Sequence, residues 1–212
     1  MKHRTSQLLY TYWNEVRRGR LAPRRFDIEP ARIAAILAET LILERVDEHT
    51  FRFRLAGTRI GEQFATELRG QNFIELWSQA DQHSIALLLH RMTQYGGAGL
   101  IDFEMAGSNG RTARFEAILL PLVHTRDVVD RFLGAISVAG PETWLGSERP
   151  AALRLLSTEV VWPEGRPQAV ADKMARQSPF HPHVAEGRLV RQDRRQFRVL
   201  DGGRAGREPG EG

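Results

Sequence analysis

The residues able to do chemistry in this sequence are few, and their spacing assembles no catalytic centre. There is no cysteine, which removes thiolate nucleophiles, iron–sulfur ligation and disulfides at once. Serine, histidine and aspartate all occur, but no Gly-x-Ser-x-Gly turn presents a serine as a nucleophile. Gly57 and Gly61 stand four apart without the Gly-Lys-Ser/Thr ending that a phosphate loop needs. His181-Pro182-His183 offers two metal donors. No cysteine or carboxylate cluster beside it completes a four-ligand shell, so it reads as a surface loop. No catalytic residue, metal or cofactor is therefore assigned. The expectation is a protein that is not an enzyme. A small-molecule enzyme on an α/β scaffold is the alternative, and turnover abolished by one pocket substitution would favour it.

Charge is the next resource. The chain of 212 residues carries 30 Lys+Arg against 26 Asp+Glu, a net of +4. Residues 163–212 hold ten of the cations and seven of the anions, so the first 162 residues, with 20 against 19, are nearly neutral. In the tail Arg188, Arg191, Arg194, Arg195 and Arg198 recur at roughly helical spacing, interrupted by Asp193 and followed by Asp201. Nucleic-acid binding through them would be electrostatic and salt-sensitive. With no recognisable binding motif nearby, it ranks below a solvated or partner-docking tail. No stretch approaches the ~18 apolar residues of a membrane span. The basic start Met1-Lys2-His3-Arg4 is not followed by an unbroken apolar run, because Asn14, Glu15 and Arg17 intervene. A cytoplasmic location is the expectation.

Periodicity supplies the elements. Leu8, Leu9, Tyr12, Trp13 and Val16 form one stripe of a helix over 6–18, ended by Gly19 and Pro23. A shorter helix starts at Pro30, with Ile33, Ile36 and Leu37 on one face. Residues 41–46 and 51–55 read as a hairpin; Phe51, Phe53 and Leu55 alternate with Arg52 and Arg54, the period of a half-buried strand. A helix follows from Thr58 as cap, carrying Ile60 and Phe64. The longest helix starts at Ser78, with Asp81 three residues on resembling a capping box. Ile85, Leu88, Leu89 and Met92 are its core stripe, and Gly96-Gly97 end it. Three strands follow: 101–105, 111–122 after an Asn-Gly turn, and 131–138. Short loops make these an antiparallel meander. Residues 153–161 fit a strand or a short helix, and 163–212 read as a disordered basic tail.

Two strands, a helical block and a three-stranded meander is the element order of a PAS domain. Phe51-Arg52-Phe53-Arg54-Leu55-Ala56-Gly57-Thr58 resembles the signature of a single-PAS family common in alphaproteobacteria. Leu68-Arg69-Gly70-Gln71-Asn72-Phe73 resembles that family's turn before its later helices. Tyr12-Trp13 with Arg17 to Pro23 is similar to its N-terminal segment, and Leu119-Leu120-Pro121-Leu122 to part of its meander. The resemblance implies an α+β PAS fold, a five-stranded antiparallel sheet with helices on one face, preceded by an amphipathic N-terminal helix. It divides the chain into 1–29 (helix and lead-in), 30–140 (PAS core), 141–162 (an extension of undecided structure) and 163–212 (tail). It implies a sensory or regulatory module, often without an attached output domain.

Two sets of residues follow. In a PAS fold Phe53, Leu55, Phe64, Trp77, Phe103 and Phe115 converge between sheet and helices, where a small apolar ligand would sit; close packing as plain core is the competing and favoured reading. Leu8, Leu9, Tyr12, Trp13 and Val16 form a helix face suited to a homodimer or to a signalling partner, unless that helix caps its own sheet. Some PAS domains hold haem through a histidine on the long helix. Here His90 lies roughly 140° and His83 about 160° from Ile85, so both are expected to face solvent. Thiol-based flavin photochemistry has no cysteine to use.

Overall fold

The computed structural model describes residues 1–165 except 108, 109, 126, 141 and 151, so His181, His183 and the tail arginines lie outside the described residues. Helix α1 (Arg4–Arg17) stops where Arg18 and Gly19 take positive φ of 49° and 75°. A 3-10 turn, Arg25–Asp27, precedes a longer 3-10 segment, Pro30–Glu39, which bends at Ile33. Strands β1 (Thr40–Arg45) and β2 (Phe51–Ala56) form the expected hairpin. Helix α2 (Thr58–Phe64) is capped by Gly57 rather than Thr58. A Cβ on Gly57 would collide with the Ala38 carbonyl, so this close approach requires glycine.

A 3-10 turn, Ile74–Leu76, leads to α3 (Gln79–Tyr95). Ser78 is its N-cap residue, but it makes no capping box. Its hydroxyl donates to Asp81 Oδ2 at 2.8 Å, and that oxygen also accepts the Leu155 N–H at 3.0 Å. Asp81 thus ties the start of the helix to a distant strand. Strands β3 (Ala98–Ala106), β4 (Thr112–Val123) and β5 (Val129–Val138) are the meander, and β6 (Ala152–Val161) closes the described chain.

The six strands run β2-β1-β5-β4-β3-β6, all neighbours antiparallel. The expected count of five is corrected by β6, which pairs along the whole of β3 from Ala98–Val161 to Ala106–Ala152. Adjacent Leu155 and Leu156 hide it from an alternation test. The ladder steps from Asp102–Ser157 to Phe103–Leu155, so Leu156 is the extra residue of a bulge and is exposed.

Helices cover both faces of the sheet, a second correction to the one-face expectation. On the inner face α2, the Ile74–Leu76 turn and α3 pack on Leu41, Leu43, Phe103, Phe115, Leu119 and Phe132. On the outer face α1 and the Pro30–Glu39 segment pack on Leu100, Ile118, Leu120, Leu122 and Leu133. With both sides buried, β4 reads Ile118-Leu119-Leu120-Pro121-Leu122 without interruption, as a doubly covered strand must.

Candidate functional site

The inner face carries a chain of aromatic rings. Phe53 meets Phe73 at 5.8 Å between centroids, Phe73 meets Trp77 at 5.7 Å, Trp77 meets Phe103 at 5.2 Å, and Phe103 stacks on Phe115 at 5.1 Å. Edge-to-face and offset pairs of this kind add stability beyond their buried area. Five of the six pocket candidates, Phe53, Phe64, Trp77, Phe103 and Phe115, lie together in this cluster. Leu55 does not. The register steps from Ile42–Leu55 to Leu43–Phe53, leaving Arg54 as the extra residue. One added residue reverses the alternation, and Leu55 emerges 44% exposed. Trp144, which periodicity did not single out, joins the cluster from the segment before β6. The indole N–H groups of Trp77 and Trp144 are buried without a hydrogen-bond partner among the described residues.

The helix stripe divides. Leu9, Tyr12 and Trp13 are buried in the chain's own outer layer, Val16 packs against that layer, and only Leu8 is well exposed. The face offered as an interface is thus largely used by its own sheet, because the outer side of β4 and β5 is apolar and needs cover. The Trp13 indole donates to the Pro121 carbonyl at 2.8 Å. The Tyr12 hydroxyl accepts the Glu29 N–H at 2.6 Å, and Arg32 lies over the Tyr12 ring at 5.0 Å. Leu8, Tyr12, Ile33, Ala35 and Ile36 line a shallow outer groove of about 600 Å3.

Charge holds the start of α1. Glu116 on β4 accepts the Lys2 N–H at 2.7 Å and the His3 N–H at 3.2 Å, placing a carboxylate at a helix N-terminus. Burial pushes the Glu116 carboxyl up; the hydrogen bonds it accepts, those from the Lys2 and His3 N–H groups among them, outweigh it, and the group titrates below its ordinary value. Asp102 lies directly opposite Glu116 in the β3–β4 register. Like charges so placed repel, and the Lys2 ammonium answers Asp102 at 2.6 Å. The hydrogen bond to Asp102, reinforced by its charge, raises the Lys2 pKa. A second carboxylate, Glu39, accepts Thr5 of α1 at 2.6 Å and Ser137 of β5 at 3.3 Å and pairs with Arg59 of α2. Glu116 and Glu39 were missed from sequence because their partners are distant in the chain.

The four motif segments meet in pairs. Residues 70–73 run along the free edge of β2: Gly70 N–H donates to Phe53 O at 2.8 Å, Phe53 N–H to Gln71 O at 3.0 Å and Phe73 N–H to Phe51 O at 2.7 Å. On the other side, Pro121 takes Trp13, and the Val123 N–H donates to Pro23 O at 3.0 Å. The first pair covers an exposed sheet edge. The second satisfies β4 where β3 no longer reaches it, since the pairing of β3 with β4 begins at Gly99–Leu119. His83 and His90 are exposed on α3. Among the described residues no group of three or more His, Asp or Glu side chains could hold a metal, and no helix is long and apolar enough to cross a membrane.

Comparison with known proteins places this arrangement. A PAS domain family model matches residues 1–137. No curated protein matches the sequence. Among solved structures, a Rhodobacter sphaeroides LOV protein is similar at 14% identity and a TM-score of 0.41, over 51% of this chain and 65% of that one. A PAS domain from Colwellia psychrerythraea is similar at 13% identity and a TM-score of 0.39, over 51% of this chain and 93% of its own. The PAS domain of an HTR-like protein from Haloarcula marismortui is similar at 16% identity and a TM-score of 0.38, over 51% and 89%. With the family model covering well over half of its residues, this chain belongs to the PAS domain family, a family of sensory and signalling modules.

Proposed function

We propose that the chain is a non-enzymatic cytoplasmic regulator that pairs with a second copy of itself and passes a signal to a partner protein. The observation that carries this reading is the PAS family match over residues 1–137. The two covered faces support it. Neighbouring residues of β4 alternate between the aromatic inner cluster and the layer under α1, so a shift on one side is felt on the other. The signal enters at the inner face, where a small ligand would displace rings and satisfy the Trp77 indole donor, which has no partner among the described residues. It leaves through α1 and the outer groove, where Leu8 stays exposed.

Native mass spectrometry of the full chain, purified from the cells that make it, tests the reading. The expected result is a dimer, weakened at least about tenfold by Leu8→Glu, which places a charge in an apolar contact. A strict monomer that carries no small molecule and captures no protein partner overturns it.

A further inference from the structure

A groove at the outer edge of β2, which borders the aromatic cluster at Phe64, carries a second site. Two cavities of about 410 and 220 Å3 share Glu75, Leu76 and Arg149 in their walls, and so adjoin. The larger end is polar and is lined by Arg52 and Gln71. The smaller end adds Phe64, Pro150 and Leu153 to those shared walls, with Thr66 beside them. The Arg52 and Arg149 side chains are exposed, and neither guanidinium makes an ion pair or hydrogen bond with any described residue. They contrast with Arg54, Arg59, Arg114 and Arg154, each of which is paired with a glutamate. The lining therefore sets two free guanidiniums against one carboxylate, and Glu75 already accepts the Asn72 amide at 3.2 Å. Beyond the smaller end, Trp77 follows Leu76 and bridges to Leu153, with its indole N–H buried and without a partner among the described residues.

We propose that this groove binds a small carboxylate with an apolar tail: the head between Arg52 and Arg149, the tail toward Phe64, Leu76 and Leu153. A guanidinium matches a carboxylate with two parallel donors, and the tail is drawn in by burial of its methylenes. A neutral chain would leave the arginines idle. An anion without a tail would leave the Phe64, Leu76 and Leu153 wall to water.

The test is a titration of the full 15N-labelled chain with sodium hexanoate, followed by amide resonances at constant ionic strength. Hexanol, hexylammonium and acetate serve as comparison probes. The expected result is saturable movement of the Gly70, Gln71, Leu76 and Leu153 amides, with hexanoate at least about tenfold tighter than hexanol or acetate. Arg52→Gln and Arg149→Gln each weaken it about tenfold. Both side chains are exposed, so the remaining resonances stay in place and report an intact fold. The proposal is overturned if no saturation occurs by about 10 mM, a ceiling near −3 kcal/mol of binding. It is overturned equally if hexanol or acetate matches hexanoate, or if both variants bind as the parent does. Dimer mass and hexanoate titration are read separately, so this site and the dimer reading fail independently.

Discussion

The two faces of the sheet are held by different physics. The inner face is ring on ring from Phe53 to Phe115, with α3 adding Ile85, Leu88, Leu89 and Met92. The outer face has a smaller apolar layer, and α1 is fixed there by Trp13 at one end and by the Glu116 and Asp102 carboxylates at the other. An interior of packed rings responds little to salt or pH. A helix whose first turn is held by buried and half-buried charge responds to both. The inner face is thus the rigid body of the molecule and α1 its separable cover.

The largest expected effect lies on the inner side. Phe103→Ala removes the ring that touches both Trp77 and Phe115, and leaves a cavity in a layer that cannot collapse onto it. It should cost about 3–5 kcal/mol by urea unfolding, lost in a single cooperative transition. Trp13→Ala should behave differently. Its ring is fully buried, but its loss can release α1 without opening the inner layer, so the free energy of docking limits the penalty. A cost on the order of 2–3 kcal/mol is expected, with trypsin cutting the 18–25 linker while the remaining core stays folded. Global unfolding by both variants alike would erase the distinction between the faces.

The same contrast explains what the residues disclosed. Local periodicity exposed α1, α3, the hairpin and the meander, because each of these repeats within a few residues. It could not say which surface the α1 stripe would bury; that depends on the outer residues of β4, more than a hundred positions away. Leu55 and Leu156 were misplaced or left open for one shared reason. A bulge is set by pairing with another strand, and alternation within a strand carries no trace of it. The clamp of Glu116 on Lys2 and His3, and the groove that Arg52 and Arg149 both line, join distant parts of the chain in the same way. The motif segments fared better. They proved to be the two seams where backbone groups of separate segments satisfy one another.

Glu116→Gln tests the charged end of α1. The amide keeps an acceptor but loses the charge facing the helix start, and a cost of about 1–2 kcal/mol is expected. Because the folded carboxyl titrates below its ordinary value, its contribution is complete above the unfolded carboxylate pKa. It is lost as pH falls through the lower, folded value. Asp27 and Glu104 are also lowered, chiefly by hydrogen bonds from Arg20 and Arg154, so global acid unfolding mixes several groups. Hydrogen exchange of the α1 amides isolates this one. In the parent, protection of α1 should drop below the ordinary carboxylate range before that of α3 does; in Glu116→Gln, α1 should be less protected at neutral pH and should lose that extra acid step.

The smallest expected effect is the sharpest test of the bulge. Phe53 and Leu55 are two apart in one strand, and a regular strand would point both into the rings. With Arg54 as the extra residue, Phe53 is fully buried and Leu55 stands 44% exposed. Leu55→Thr keeps a residue suited to a strand and removes little buried surface, so its cost should stay within about 0.5 kcal/mol. Phe53→Ala should cost about 3–5 kcal/mol in the same urea experiment. A Leu55→Thr penalty of about 2 kcal/mol or more would mean that the side chain is inside, that the register is regular, and that the inner face extends one residue further along β2.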